Sequence, residues 1–168
     1  MQKDAHTRGV KYTQKTFWLL LPIALVVLAD EWMKYIALGR LPQEGSLLSN
    51  GIFDLAIHKN YGIAFDIPFK LEFVIAFSLI IGAILLKIAC ENRKKKPEIS
   101  FAALVIVIGA LGNLYDRIVY GFTVDYMIWF ERSAINLSDI VIVMGVVLLL
   151  LNSRRGKRRS PRLTPRKK

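Results

Sequence analysis

Between Phe73 and Leu86 the chain carries no charged side chain, and it then meets the abrupt polar block Lys87-Ile-Ala-Cys-Glu-Asn-Arg-Lys-Lys-Lys-Pro97. Extended over Leu71 to Ala89, this run approaches the ~20 apolar residues that a helix rising ~1.5 Å per residue needs to cross a bilayer. Three further stretches have the same character: Phe17 to Leu38, Ile99 to about Tyr115, and about Ile135 to Leu151. With 54% hydrophobic and 22% charged residues, the chain reads as a small integral membrane protein. Disorder does not fit such hydrophobicity, and Cys90, the sole cysteine, has no partner for an internal disulfide.

A cleaved signal peptide would share the basic flank and the apolar run from Phe17 to Ala29. The apolar pattern continues past Asp30 to Leu38, however, and three more spans follow, so the segment is expected to be retained.

Topology follows from the basic residues, which hold short loops in the cytoplasm. Lys3, Arg8, Lys11 and Lys15 lie before the first span, Lys87 and Arg93 to Lys96 in the middle loop, and nine Lys or Arg among the last fifteen residues. Four spans put all three clusters on one side, which makes both termini cytoplasmic. The tail has no aromatic residues on which bases would stack, so it reads as a topology anchor touching anionic membrane lipid, and no nucleic-acid partner is expected. The chain divides into a basic arm (1–16), a four-span unit (17–151) and a basic tail (152–168).

Two connections must then face outward, about Gly39 to Lys70 and about Asp116 to Ala134. The first contains Pro42, Gly45, Gly51 and the alternating stretch Ile52-Phe-Asp-Leu-Ala-Ile57, which predicts a short strand or hairpin on the membrane surface. Tyr126 and Trp129 in the second suit an interfacial depth. The fold class expected is an all-α membrane protein, four transmembrane helices with a small extracytoplasmic β-rich platform.

Ionisable groups in or beside membrane spans are costly, and here they gather at the outer interface: Asp30, Glu31, Lys34, Asp116, Arg117, Asp125 and Asp139. Asp30 and Lys34, four apart on a helix, share a face and read as a pair that braces the bundle. Asp125 and Asp139 flank a segment able to fold back and bring their carboxylates together. Two carboxylates in one site do not both ionise easily, which leaves one as a base and one as a proton donor, the arrangement by which aspartic proteases activate water. Spacing alone leaves a second reading open, in which each is an ordinary interfacial acid and Asp139 favours the dipole of the last helix.

Three blocks stand together: Asn60-Tyr-Gly-Ile-Ala-Phe65, then Gly109-Ala-Leu-Gly-Asn-Leu-Tyr-Asp-Arg117 continuing through Gly121 to Val124-Asp125, and Asn136-Leu-Ser-Asp139. With Asp30 and Lys34 ahead of them, they closely resemble the lipoprotein signal peptidase, or type II signal peptidase, family over about residues 17 to 151. The resemblance implies an intramembrane aspartic endopeptidase of the bacterial cytoplasmic membrane. It would remove the signal peptide of prolipoproteins before a diacylglyceryl-modified cysteine, with no metal or organic cofactor. By motif position the catalytic pair is Asp125 and Asp139. Asn60, Asn113, Asp116, Arg117 and Asn136 match positions that shape and support the site, and Asp30 and Lys34 match the family's first-span pair.

The amides of Asn60, Asn113 and Asn136 supply donors and acceptors without charge, and the fork of Arg117 suits Asp116 or a lipid-linked carbonyl or phosphate. Gly109 and Gly112 are expected to let helices pack closely. The sequence departs from the family's usual Phe-Asn-x-Ala-Asp block at Ile135 and Ser138, and near Asn60 at Ile63 and Asp66; Ser138 is placed to tune or crowd the dyad. Cys90, at the opposite end of its span from the acids, is expected to be a packing residue. Two other classes accommodate such acids. A proton-coupled transporter would more often place them near the midplane on broken helices, and a membrane scaffold would need neither Asp125 nor Asp139.

Overall fold

Proline just inside a helix start is pre-organised for its first turn, and Pro97 fills that role directly after the basic turn Arg93 to Lys96. The computed structural model, which describes residues 14–43, 52–62, 67, 69–130 and 133–158, has five helices and three strands among those residues. In chain order these are α1 (Gln14–Phe17), α2 (Leu20–Arg40), β1 (Phe53–Asn60), α3 (Leu71–Asn92), α4 (Pro97–Val119), β2 (Thr123–Trp129), β3 (Ser133–Ile135) and α5 (Leu137–Arg158). The arm before residue 14, with His6, lies outside the described residues, as do Gly45, Gly51, Ile63 to Asp66 and the tail from residue 159.

Helix α4 is central, packed against α2, α3 and α5. It buries Phe101, Ala102, Ala103, Val105, Ile106, Gly109, Gly112 and Asn113. Small residues bring α5 close: a Cβ on Gly109 would meet the Ser138 carbonyl oxygen at 2.9 Å, and one on Gly112 would meet Ser138 Oγ at 2.5 Å. Gly145, not singled out by the sequence, does the same from the α5 side, where a Cβ would lie 2.6 Å from Ile106 Cγ1. By contrast α3 buries only Val74 and Ala89 and exposes Phe73, Phe77, Leu79, Ile80, Ile81 and Ile84. Such an outward apolar face suits lipid rather than water.

Among the described residues, three helices are long and apolar enough to cross a membrane: α3, α4 and residues Leu137–Arg154 of α5. The remaining expected span, α2, has 21 residues but carries Asp30, Glu31 and Lys34 along its length. Asp30 and Lys34 are fully buried, while Leu21, Leu25, Leu28, Trp32 and Tyr35 face outward. The expected start at Phe17 is replaced by a break between α1 and α2, with Pro22 in the first turn of α2. The third helix runs past Tyr115, so Asp116 and Arg117 lie inside its last turns, and Ile135 belongs to β3 rather than to α5.

The stretch around Ile52 to Ile57 does form a strand, but it pairs with the connection between α4 and α5 instead of folding on itself. The three strands form one antiparallel sheet, β1-β2-β3. Between the pairs Leu55↔Met127 and His58↔Asp125, two residues of β1 stand opposite Tyr126 alone, a bulge that shifts which side chains face together. One face, with Ile57, Val124 and Tyr126, packs on Ala37 of α2. Tyr126 is buried within the protein, because its ring joins this cluster and its hydroxyl finds an acceptor inside. Cys90 is exposed and not a packing residue, since α3 turns most of its circumference away from the bundle.

Candidate active site

The N-terminus of α5 is where the sheet meets the helices, and its unpaired backbone N–H groups need acceptors. Asn136, which precedes the helix, accepts from Asp139 N at its Oδ1 (2.9 Å), while Asp139 Oδ2 accepts from Asn136 N (3.2 Å). This reciprocal pair is a capping box built from Asn and Asp. The two N–H groups before it go to another helix: Asp30 of α2 accepts from Leu137 N at 3.2 Å and Ser138 N at 3.0 Å.

Asn136 also reaches across to the sheet. Its fully buried Nδ2 donates to Asp125 Oδ1 at 2.6 Å and to Asn113 Oδ1 at 3.1 Å. Asn113 in turn donates to Asp139 Oδ1 at 2.7 Å, and Asn60 donates to Asp125 Oδ2 at 3.1 Å. Asp125 from β2 and Asp139 from α5 therefore lie on either side of Asn136, each with both oxygens engaged by amide donors. Burial, reinforced by the nearby Asp139 charge, pushes the Asp125 carboxyl up to about 7; the bonds from Asn60 and Asn136 and the field of His58 oppose the rise.

Behind the carboxylates lies a buried ionic cluster. Lys34 Nζ sits 2.8 Å from Asp116, 3.0 Å from Glu31 and 3.2 Å from Asp30. Its bond to Asn113 Oδ1, at 3.4 Å, links this cluster to the donor that holds Asp139. Asp116 Oδ2 also accepts from Val124 N at 3.1 Å, fixing the backbone one residue before Asp125. Asp30 accepts in addition from Tyr126 Oη at 2.8 Å and Ser138 Oγ at 2.6 Å. The Ser138 hydroxyl is thereby committed to Asp30.

Arg117 does not hold Asp116, whose Oδ2 meets Lys34 Nζ and Val124 N. It donates instead to the Asn113 carbonyl and to the Gly62 carbonyl, both at 3.1 Å. The second bond, with Gly62 N donating to Asn60 Oδ1 at 3.1 Å, shapes the turn that aims Asn60 at Asp125. The structure thus brings together Asp125, Asp139, Asn60, Asn113 and Asn136, with Asp30, Lys34, Asp116 and Arg117 around them. Sequence reasoning missed Tyr126 and the direction of Ser138; the alternation of β2, which turns Tyr126 to the face opposite Asp125, was the available signal for the first.

Two buried carboxyls sharing amide donors can hold one proton between them and present both a base and an acid to a water and a carbonyl. A family model described as signal peptidase (SPase) II matches residues 22–155. The lipoprotein signal peptidase of Ectopseudomonas mendocina (strain ymp) is 32% identical over 146 residues, covering 80% of this chain and 86% of its own. That of Dehalococcoides mccartyi (strain ATCC BAA-2100) is 32% identical over 151 residues, covering 86% and 89%. A bacterial membrane enzyme solved by the in meso method superposes with a TM-score of 0.72 at 24% identity, covering 92% of this chain and 96% of its own. A second such enzyme gives 0.61 at 26% identity, covering 84% and 94%.

Proposed function

The chain belongs to the signal peptidase II family, and from that premise we propose that it is an intramembrane aspartic endopeptidase. Its substrates are bacterial prolipoproteins, from which it removes the signal peptide by cutting before the diacylglyceryl-modified cysteine. The observation that carries this reading is the single amide, Asn136, that joins Asp125 to the segment capping Asp139.

In the mechanism, one ionised carboxylate of the pair takes a proton from a water whose oxygen attacks the scissile carbonyl carbon. The other, protonated, donates a hydrogen bond to the carbonyl oxygen as charge develops there. The carbon–nitrogen bond then breaks, and the proton gained from water passes to the leaving amine. The pair titrates as a unit, so neither residue is assigned one role alone. Asn60, Asn113 and Asn136 hold both carboxylates in place, and the burial of the site keeps their electrostatics strong.

In this reading α2 is the first of four spans, its charges tolerated because Asp30 and Lys34 face the interior. The protein lies in the cytoplasmic membrane with both basic termini inside, and residues 17–151 form the peptidase unit with its site near the outer face. The deciding experiment is cleavage of a purified diacylglyceryl-modified prolipoprotein in detergent or lipid by wild type, Asp125→Asn and Asp139→Asn. Cleavage before the lipidated cysteine by wild type, lost in both folded variants, is the expected result. Absence of cleavage by folded wild type across several lipidated substrates overturns it.

A further inference from the structure

The bulge in β1 has a chemical result at the site. Without the extra residue, the alternation from Leu55 would set Ile57 across from Asp125; with it, His58 takes that position. Directly opposed residues of an antiparallel pair share a face and hold their Cβ atoms about 4.5–5.5 Å apart. Asn60, two residues further along β1 on that same face, donates to Asp125 Oδ2, so the face carrying His58 is the one that looks onto the carboxylate. His58 is half-buried, at the rim of the site.

We propose that His58 is a positioning residue of the carboxylate pair, an imidazole whose charge biases where the shared proton resides and so sets the upper pH edge of catalysis. Imidazole is the side chain that ordinarily changes charge between pH 5 and 8. When cationic it favours the ionised form of Asp125, and when neutral it lets Asp125 keep a proton. Besides one another, Asp125 and Asp139 feel Arg117 from α4 and, at Asp139, Lys34 and Asp30 from α2. On β1, Lys59 lies next in sequence, but its ammonium sits over the Phe122 ring, 5.4 Å from the centroid. His58 is thus the imidazole that stands opposite Asp125 across the sheet. The inference rests on the peptidase reading for its kinetic consequence, whereas the coupling between His58 and Asp125 stands on the sheet register.

The test uses the full-length chain in detergent, with two readouts. The first is the imidazole titration by NMR, which is simple to assign because the chain has only two histidines, His6 and His58. Asp125→Asn removes a carboxylate opposite the ring, so the His58 midpoint falls by roughly half a pH unit or more, by the Coulomb interaction at this separation. The second is the pH profile of cleavage of the lipidated substrate. His58→Gln moves the alkaline edge up by roughly half a pH unit, and His58→Lys, a permanent cation, moves it down by a similar amount. A purely structural role for His58 does not give shifts of opposite sign. An unchanged midpoint in Asp125→Asn, or coincident profiles for the two His58 variants, overturns the inference and leaves the peptidase reading standing. A shifted midpoint in a chain that cleaves nothing supports the coupling while removing the peptidase reading.

Discussion

Asn136 and Asp139 exchange hydrogen bonds in both directions, backbone N–H to side-chain oxygen each way, at 2.9 and 3.2 Å. The acid to which the proposed mechanism gives a catalytic role is therefore also part of the lock on the first turn of α5. This dual use separates two quantities that usually fall together when a site residue is replaced.

Asn136→Ser keeps a side-chain oxygen for the cap but cannot carry the 2.6 Å bond to Asp125 Oδ1. It is expected to lose at least about 100-fold in cleavage rate, in line with losses on removing a supporting donor, and to fall by about 1–3 kcal/mol in stability because buried Asp125 and Asn113 lose the same donor while the cap is kept. Asn136→Ala loses both functions, leaves buried Asp125 and Asn113 groups without their donor, and falls by about 2–4 kcal/mol. Cleavage kinetics and thermal unfolding in detergent, measured side by side, check both.

Asp125 also predicts a pH dependence. Its folded carboxyl is raised from 3.8 to about 7, so the folded state holds a proton that the unfolded state releases. The ionisation penalty is absent below about pH 4, grows from there to about 7, and is complete above it. Asp125→Asn removes that penalty. The difference in melting temperature, variant minus wild type, should rise between pH 4 and 7 and level off above; a flat difference contradicts the burial argument. Cleavage by wild type should decline as the pH passes above about 7 and the pair loses its shared proton.

Lys34 is the ammonium shared by Asp30, Glu31 and Asp116, and its side chain is fully buried. Lys34→Met leaves those carboxylates facing one another and is expected to cost about 3–5 kcal/mol. Asp116 would then release its hold on β2 as well. Recovery of monodisperse protein by size-exclusion chromatography, together with its unfolding temperature, measures the loss.

Glycine positions give a control on packing. A methyl at Gly145 would meet Ile106 N at 2.9 Å and the Ala102 carbonyl at 3.2 Å, both backbone, whereas Gly82 has nothing within 4 Å. Gly145→Ala should therefore destabilise by about 1–3 kcal/mol by forcing α4 and α5 apart. Gly82→Ala should be neutral or mildly stabilising, by up to about 1 kcal/mol. Thermal unfolding of the two variants provides the comparison.

The long apolar runs were legible in sequence because composition alone marks them, and Leu71–Asn92 agrees closely with its expected bounds. Asp125 and Asp139 stood out because acids beside apolar runs are rare. The Asp30–Lys34 pair followed from helical spacing, and the structure holds it at 3.2 Å. Other features depend on which helix faces which, and local spacing is silent on that. Lys34 meets Asp116 across 82 positions, Ser138 meets Asp30 across 108, and Arg117 is diverted from its sequence neighbour to Gly62. The bulge in β1 was equally hidden, since nothing in Ile52 to Ile57 marks an extra residue until its partner strand is known.

Asp30 receives the first N–H groups of α5, so an early helix holds the acceptor for one that is made last. During synthesis, a chain whose α5 has not yet emerged has Asp30 and Lys34 in place but lacks Asn136 and Asp139. Under the proposed mechanism the nascent chain is inert until α5 docks, because only that docking sets Asp139 beside Asn136 and Asp125.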